Sequence, residues 1–476
     1  MMLGFEKSMW LLFDIVKILD NQTTAISSER LLQLLGYSNI TQVKKACQEL
    51  KDLITTCYAP QEMTLAISKR HGMRLYHESN CSFHPLFNQI ASKDLAYSIY
   101  QTLLFQRSVS TDTFFEQHFI SLSTLRRKVK EINQYLNTIG LHITLGQRLT
   151  IRGKESMIRS FTFLFLFMLH RQMSNVNRVT DSSPYFDLAK KLNHSLQLNF
   201  LDYQEEILAI HLFIATSAIE KNQHINFSEE DFPYIEAIKF PKKVNFLPHW
   251  TEDDWKFLLL TMHNSNLANY DSPIDLTAIQ FPELDRDFAT WVTLFEKYFS
   301  PFDTTQTEYL YNHFQKMYLA SFFLKTDQKL LSAFPGVNFQ QNEQLHSYYL
   351  KQFDHFWQAF SAQCGEWVNN HFEMQSLLLC QYFLPPTEFL PTIHIYFYTD
   401  LDLLFSANTQ NAICSYFASN YIIKFVSTVE ESDLVIGTLH PLRSQNLLSK
   451  PLIIIHGLLT QHDYNHLEEI FHQLLA

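Results

Sequence analysis

Residues 110–159 read STDTFFEQHFISLSTLRRKVKEINQYLNTIGLHITLGQRLTIRGKESMIR. Leu122, Leu125, Val129, Ile132 and Leu136 recur there at steps of three and four, which predicts one apolar stripe along a helix of about 15 residues. Ser121 offers a side-chain oxygen to the free N–H groups at the start of that helix. Arg126, Arg127, Lys128 and Lys130 fall off the stripe, so the periodicity turns them outward together. Upstream, Ser110 or Thr111 can cap a shorter helix whose Phe114, Phe115 and Phe119 pack back onto the stripe. Downstream, Ile143, Leu145, Leu149 and Ile151 alternate around Gly146-Gln147, as in a two-stranded hairpin. Helix, turn, basic helix and hairpin make a winged helix-turn-helix, a unit that lays its second helix in the major groove of DNA.

Charge supports this reading. From 121 to 160 there are eight Lys/Arg against two Asp/Glu, a net of +6. An isolated charge run is most often a solvated helix face. Here the run coincides with the N-terminal half of a recognition helix, and Arg148, Arg152 and Lys154 extend it into and beyond the wing. Arg126, Arg127 and Lys130 are expected to approach the major groove, with Ser123 and Thr124 on phosphate or base edges. Arg148 and Arg152 are expected on the flanking backbone.

Working outward, residues 1–80 repeat the pattern more weakly. Trp10–Leu19, Ser28–Leu35 and Thr41–Ile54 read as helices, and Thr64 to Tyr76 alternates across a turn at His71-Gly72. Lys44 and Lys45 on the third helix, with Lys69 and Arg70 at the hairpin, are the candidate DNA contacts of this second winged unit. The bland alternative is a winged domain used only for packing. Residues 83–107 read as a linking helix. From 155 to about 385 the periodicity is helical, broken at Pro184, Pro233, Pro241, Pro273, Pro301 and Pro335. Two halves, 165–285 and 286–390, each place a histidine in an apolar stripe, His211 and His313. Beyond Pro385-Pro386 and Pro391, strands alternate with helices, which implies a small parallel α/β sheet over 391–476.

The whole chain of 476 residues carries a net charge of −11, but unevenly. Residues 1–160 hold 19 basic and 13 acidic side chains, net +6, and the remainder is net −17. A basic head on an acidic body suits DNA binding by the head alone. Only 10 glycines occur, and neither GxGxxG nor GxxxxGK[ST] is present, so no phosphate-cradling loop is indicated. Six widely spaced cysteines without a CxxC pair suggest reduced thiols in a cytoplasmic protein and no zinc module. The most apolar run, Phe161 to Leu169, is too short to span a bilayer. His462 and His466 stand at i, i+4 as a weak metal pair without a third ligand motif. No catalytic signature appears, and neither enzymatic activity nor a cofactor is expected.

This order of parts resembles the Mga/AtxA-type transcription regulators of Gram-positive bacteria. The motif carrying the resemblance is Ser123-Thr124-Leu125-Xaa-Arg127 through Ile132-Asn133-Xaa-Xaa-Leu136, followed by Ile151-Xaa-Gly153-Xaa-Glu155 and Arg159. The resemblance implies that 165–285 and 286–390 are phosphotransferase-system regulation domains (PRDs) with phosphorylatable histidines, for which His211, His263 and His313 are the candidates. It also implies that 391–476 is similar to a sugar-phosphotransferase enzyme IIB. That comparison contains a departure: the loop Thr399 to Asn408 lacks the nucleophilic cysteine, and Cys414 lies inside the following helix.

The expected architecture is therefore multidomain and mainly α. It has a winged helix at 1–80, the main winged helix-turn-helix reader at 81–164, PRD-like bundles at 165–285 and 286–390, and an enzyme IIB-like α/β domain at 391–476. The expected partners are double-stranded DNA, a second copy of the chain through 391–476, and a phosphocarrier protein of the sugar phosphotransferase system. No membrane partner is expected. The rival readings are an RNA-binding antiterminator with paired PRDs and a phosphotransfer enzyme acting through the C-terminal domain.

Overall fold

The computed structural model describes residues 2–37, 39–173, 176, 181–229, 232–265, 273–276, 279, 281–323, 347–365, 367–368, 370–440 and 450–475. The expected helix break at Pro335 lies outside them. The chain divides into two units, Met1–Leu284 with Tyr311–Gln340, and Asp285–Leu310 with Gln341–Ala476.

The first unit opens with a winged helix. Helix α1 (Lys7–Asp20) buries Leu11, Leu12, Ile15, Val16 and Leu19. Helix α2 (Ser28–Leu35) begins where Ser27 Oγ accepts from the Arg30 N–H at 3.1 Å, and it ends at Gly36 with φ +66°. Helix α3 (Ile40–Cys57) is capped by Asn39 and buries Val43, Cys47, Leu50 and Ile54 at helical spacing. Strands β1 (Met63–Ser68) and β2 (Gly72–His77) form the hairpin, with Leu65 opposite Leu75. Gly72 has φ +87° and passes so close to the Ile26 carbonyl that a Cβ would collide with it. The backbone bridge between Ile26 and Met73 at this point ties the hairpin to the segment before α2.

The stretch expected as one linking helix is two, α4 (His84–Ser92) and α5 (Leu95–Gln106). Asp94 separates them. Its carboxylate accepts from the Ala96 N–H at 2.8 Å as the cap of α5, and from the Glu6 N–H at 2.7 Å. Helix α5 buries Ile99, Tyr100, Leu103 and Leu104 and serves as the first helix of the second winged helix-turn-helix. Then follow β3 (Ser108–Ser110), α6 (Thr111–Gln117), α7 (Leu122–Leu136), β4 (His142–Leu145) and β5 (Arg148–Arg152). The three strands form one antiparallel sheet in the order β3-β5-β4. The hairpin was legible as alternation; β3, at three residues, was too short for any period to register.

The start of the chain packs differently from the expected division at 80. The turn Met2–Gly4 lies on α7, with Gly4 pressed against Ile132, and Tyr100 donates to the Leu3 carbonyl at 3.1 Å. Leu3 and Phe5 are fully buried, so residues ahead of the first winged helix help fill the core of the second.

Helix α8 (Glu155–His170) leaves the wing at Gly153 and buries all its residues from Met157 to His170. Phe161 and Phe165 pack against Tyr100 of α5 as tilted ring pairs at centroid distances of 5.4 and 5.3 Å. Each such ring contributes about 1.5–3 kcal/mol through burial. The helix runs through the expected boundary at 164, so reader and helical body share it. Helices α9 (Ser183–Leu196), α10 (Asp202–Ile219), α11 (Phe232–Ala237) and α12 (Glu252–Asn264) follow, with α10 packed on both α8 and α9.

The division between the units falls inside α13 (Pro282–Tyr298) and again inside α14 (Thr307–Phe323). In the second unit, Trp291 is buried between Phe295 and Phe356 and donates to Ser376 Oγ at 2.7 Å. The fully buried Asp287 carboxylate accepts from Trp367 Nε1 at 2.8 Å and from the Gly365 N–H at 3.2 Å. Helices α15 (Ser347–Ser361) and α16 (Asn370–Phe383) complete this part. The α/β pattern then begins with β6 (Thr392–Tyr398), α17 (Leu403–Phe417), β7 (Ile422–Val426), β8 (Leu434–Gly437), β9 (Leu452–Ile454) and α18 (Gln461–Leu475). Its four strands are parallel in the order β7-β6-β8-β9, around a core that includes Ile395, Ile413, Phe417, Leu434, Leu467 and Phe471.

Candidate nucleic-acid interface

Helix α7 is held from one side by Leu125, Val129, Ile132 and Leu136, all buried, as its spacing requires. Ser121 Oγ accepts from the Thr124 N–H at 3.1 Å and also contacts the hydroxyls of Ser123 at 2.8 Å and Thr124 at 2.9 Å. Three hydroxyl groups thus gather at the positive end of the helix, where backbone N–H groups point outward. Leu122 sits at the rim of the stripe and remains 42% exposed.

Arg126, Arg127 and Lys130 are exposed, as the spacing implied. Arg127 lies 4.0 Å from Glu131, a distant and solvated pair that leaves its charge available. Lys128 departs from the expectation. It is only 2% exposed, and its Nζ donates to the Gly4 carbonyl at 2.9 Å and to Glu6 at 2.5 Å, with Glu131 at 3.1 Å. Burial opposes its charge, but Glu6, Glu131 and Asp94 outweigh that and hold its pKa above the usual lysine value. The helical wheel turned this lysine toward residues 2–6, which no periodicity assigned to this domain.

Beside the cations the structure adds two polar residues that the sequence reading left out. A groove of about 400 Å³ runs between α7 and the hairpin, lined by Arg126, Lys130, Asn133, Gln134, Asn137 and Leu145 among others. Gln134 and Asn137 continue the stripe begun by Arg126 and Lys130 at steps of three and four, which was the signal available for finding them. Asn133 has a different task. Its side chain donates to the Ile143 carbonyl at 2.8 Å and accepts from the Ile143 N–H at 2.7 Å, fixing the recognition helix to β4.

The hairpin tip is anchored as well. Thr111 donates through its hydroxyl to the Gly146 carbonyl at 2.7 Å and through its N–H to the Gln147 carbonyl at 3.0 Å. Arg148 is exposed but held, with Nε donating to Ser108 Oγ at 2.8 Å and Nη2 to the Ser108 carbonyl at 3.2 Å. Arg152 is exposed at the other end of β5, opposite His142. Phe114 is buried, whereas Phe119, expected on the stripe, occupies the turn with φ +51° and is 95% exposed. The turn takes a left-handed residue there, which swings the ring away from the core.

In the first winged helix, Lys44 and Lys45 are exposed on α3, and Lys69 and Arg70 are exposed at the β1–β2 turn. The turn is organised by Ser68 Oγ, which accepts from the Arg70 and His71 N–H groups at 3.3 and 3.2 Å.

The histidines singled out for modification lie in packed surroundings. His211 on α10 stacks on Phe163 of α8 at 3.9 Å with rings 13° from parallel, and burial pushes its pKa down to about 3. His263 on α12 is pushed down to about 4 by burial and by Lys316. His313 lies on α14 with its Nε2 shielded from solvent. His462 and His466 have ring centroids 6.3 Å apart, while His456 contacts Asp463 at 3.0 Å. No group of three metal-ligating side chains converges among the described residues. Cys414 lies on α17 with its thiol directed at the Ile423 carbonyl, and burial raises its pKa.

No described helix is long and apolar enough to cross a membrane. A search of curated proteins finds no match to the chain. Residues 79–167, which run from the turn before α4 into α8 and enclose the second winged helix-turn-helix with its cationic face, match the family model of the Mga helix-turn-helix domain.

Proposed function

We propose that this chain is a Mga-type transcription activator that binds double-stranded DNA as a homodimer. The observation that carries the reading is the exposed set Arg126, Arg127, Lys130, Arg148 and Arg152 on a rigid helix-and-wing frame inside the matched segment. If each of the five neutralises one phosphate, log affinity falls against log salt with a slope of about −4.5 per protomer. Lys44, Lys45, Lys69 and Arg70 give the first winged helix a second, smaller basic face for flanking DNA.

Control is assigned to the helical regions 165–285 and 286–390 as PRD-like bundles, through phosphorylation of His211, His263 or His313 by a phosphocarrier protein of the sugar phosphotransferase system. The stacking of His211 on Phe163 supports a route to the reader, because α8 continues directly from the wing. A phosphoryl group bonds in the imidazole plane, at the ring edge, and bringing roughly −1.5 to −2 charges (the increment of a phosphorylated hydroxyl) into these buried surroundings would drive α8 and α10 apart. Aspartate and alanine at each histidine, read by promoter activity, distinguish a charge switch (opposite effects) from a packing role (equal loss). The α/β domain is read as an enzyme IIB-like dimerisation module and the chain as non-enzymatic, since the loop after β6 holds Thr399, Asp400 and Asp402 rather than a cysteine.

The test of the main reading is genome-wide crosslinking of the unaltered protein. Enrichment at promoters whose transcripts fall on deletion is the expected result. Enrichment on nascent RNA instead would favour the antiterminator reading and overturn this one.

A further inference from the structure

Resting on the DNA-binding reading, we infer that Phe119 is a base-reading residue whose ring packs on a thymine methyl group in the major groove. Two observations on the same turn carry this. The first is exposure: Phe119 is 95% exposed, and Leu122 just beyond the cap is 42% exposed, whereas Phe114 and Leu125 on either side of them are fully buried. The helix-turn-helix core is complete without the ring. The second is conformation. Phe119 has φ +51°, a region that disfavours a residue with a Cβ and that glycine or asparagine occupies at less cost. Folding alone therefore calls for a small residue at this turn, yet the chain carries its largest apolar hydrocarbon ring there.

The surroundings say what covers the ring. It lies two residues before Ser121, whose hydroxyl gathers those of Ser123 and Thr124 at the positive end of α7, with Arg126 and Arg127 on the next turn. The hydroxyls and cations on the α7 side suit a polyanion, against the one carboxylate of Glu116, whose carbonyl accepts the Phe119 N–H, so a second protein bringing an apolar patch would have to desolvate these cations. In the major groove the apolar group that projects toward a phenyl ring is the C5-methyl of thymine, and this groove is entered by the N-terminal residues of a recognition helix.

The test uses the full-length protein and a duplex selected by it from a random-sequence pool, synthesised with thymine and with uracil at each half-site position. The expected result is that one thymine-to-uracil change weakens binding of the unaltered protein about five- to tenfold. Phe119→Ala should weaken binding to the thymine duplex by a similar factor and bind both duplexes equally. Phe119→Asn, which suits the left-handed turn, separates folding from recognition. It should melt at or above the temperature of the unaltered protein and still lose the methyl preference. Full affinity in a folded Phe119 variant overturns the proposal, as does a methyl preference that survives the substitution. If the unaltered protein selects no duplex, the DNA-binding reading itself falls, and this inference with it.

Discussion

Arg159 on α8 places its Nη2 2.7 Å from Asp254 Oδ1 on α12, and both side chains are all but closed to solvent. The pair is part of a longer chain of charge. Glu155 accepts from Arg107 at 2.6 Å and from Arg159 at 3.2 Å, while Asp254 also accepts from the Ile225 N–H, the Thr251 hydroxyl and His224. At the other end, the Arg107 carbonyl accepts from the Ile151 N–H of the wing at 3.0 Å. The reader is thereby connected through α8 to the helical body by groups that lose much if one partner is removed.

Asp254→Ala should lower stability by about 3–5 kcal/mol, because it leaves the buried Arg159 with Glu155 as its carboxylate partner and takes the acceptor from the Ile225 N–H, the Thr251 hydroxyl and His224. Urea unfolding measures this, and the double variant Arg159→Met with Asp254→Leu should recover a large part of the loss. A double variant as unstable as the sum of the singles would show that the two residues act independently. The pH dependence has a definite sign. Burial alone would raise the Asp254 carboxyl, but Arg159, His224 and the N–H and hydroxyl donors hold it below its ordinary 3.8. Its contribution is complete above that value and disappears as pH falls through the lower, folded-state value.

Three consecutive basic residues on α7 should separate cleanly. Arg126→Ala with Arg127→Ala should leave the melting temperature nearly unchanged and reduce the salt slope of DNA binding by about 1.8, two phosphate contacts at 0.9 each. Lys128→Met should do the reverse: it removes a donor from the Gly4 carbonyl, the partner of the half-exposed Glu6 and the nearer partner of Glu131, at a cost of about 1–3 kcal/mol, while the folded fraction keeps its salt slope. Loss of salt slope in a folded Lys128→Met variant would assign that lysine to the DNA face after all.

This contrast shows how far the sequence could be read. The bounds of α2 and α7, the cap at Ser121 and the hairpin register around Gly146-Gln147 follow from local spacing and capping chemistry, and the structure has them where spacing put them. Lys128 could not be sorted from Arg127 by spacing, because its fate depends on Gly4 and Glu6, more than 120 residues away in the chain. Phe119 was misplaced for a related reason: an aromatic residue in a turn looks like core until the sign of φ is known. Strand β3 and the split at Asp94 were invisible because three residues carry no period and a single cap interrupts none.

His211 yields a prediction about acid. Its folded-state pKa is about 3 against an ordinary 6.5, so below pH 6.5 the unfolded chain binds a proton that the folded chain refuses. Stability should therefore fall as pH drops from 6.5 toward 3, by up to about 1.4 kcal/mol per unit from this residue. His211→Phe should flatten that part of the profile relative to the unaltered protein, because the ring stack on Phe163 survives without a titrating nitrogen. A profile unchanged by the substitution would mean that His211 is protonated in place.

The α/β domain supports a prediction about assembly. Leu403, Leu404 and Leu458 are 84%, 79% and 77% exposed, and Phe405 is 57% exposed, although the sheet behind them has a complete core. Leu401 approaches Gly457, and Thr409 Oγ1, which donates to the Phe405 carbonyl, lies 3.5 Å from the Gly457 carbonyl, so the loops after β6 and β9 lie side by side at the carboxyl ends of parallel strands. That edge of a parallel sheet ordinarily receives a polar ligand. Here it presents leucines, and an apolar edge of this kind suits contact with a second copy. Leu403→Glu with Leu404→Glu should weaken self-association at least tenfold in sedimentation equilibrium, with the circular dichroism of the domain unchanged because neither side chain contributes to its core. DNA affinity should fall in parallel, since a dimer holds two half-sites at once. A double variant that remains dimeric would move the interface to the helical regions and leave this edge for a different partner.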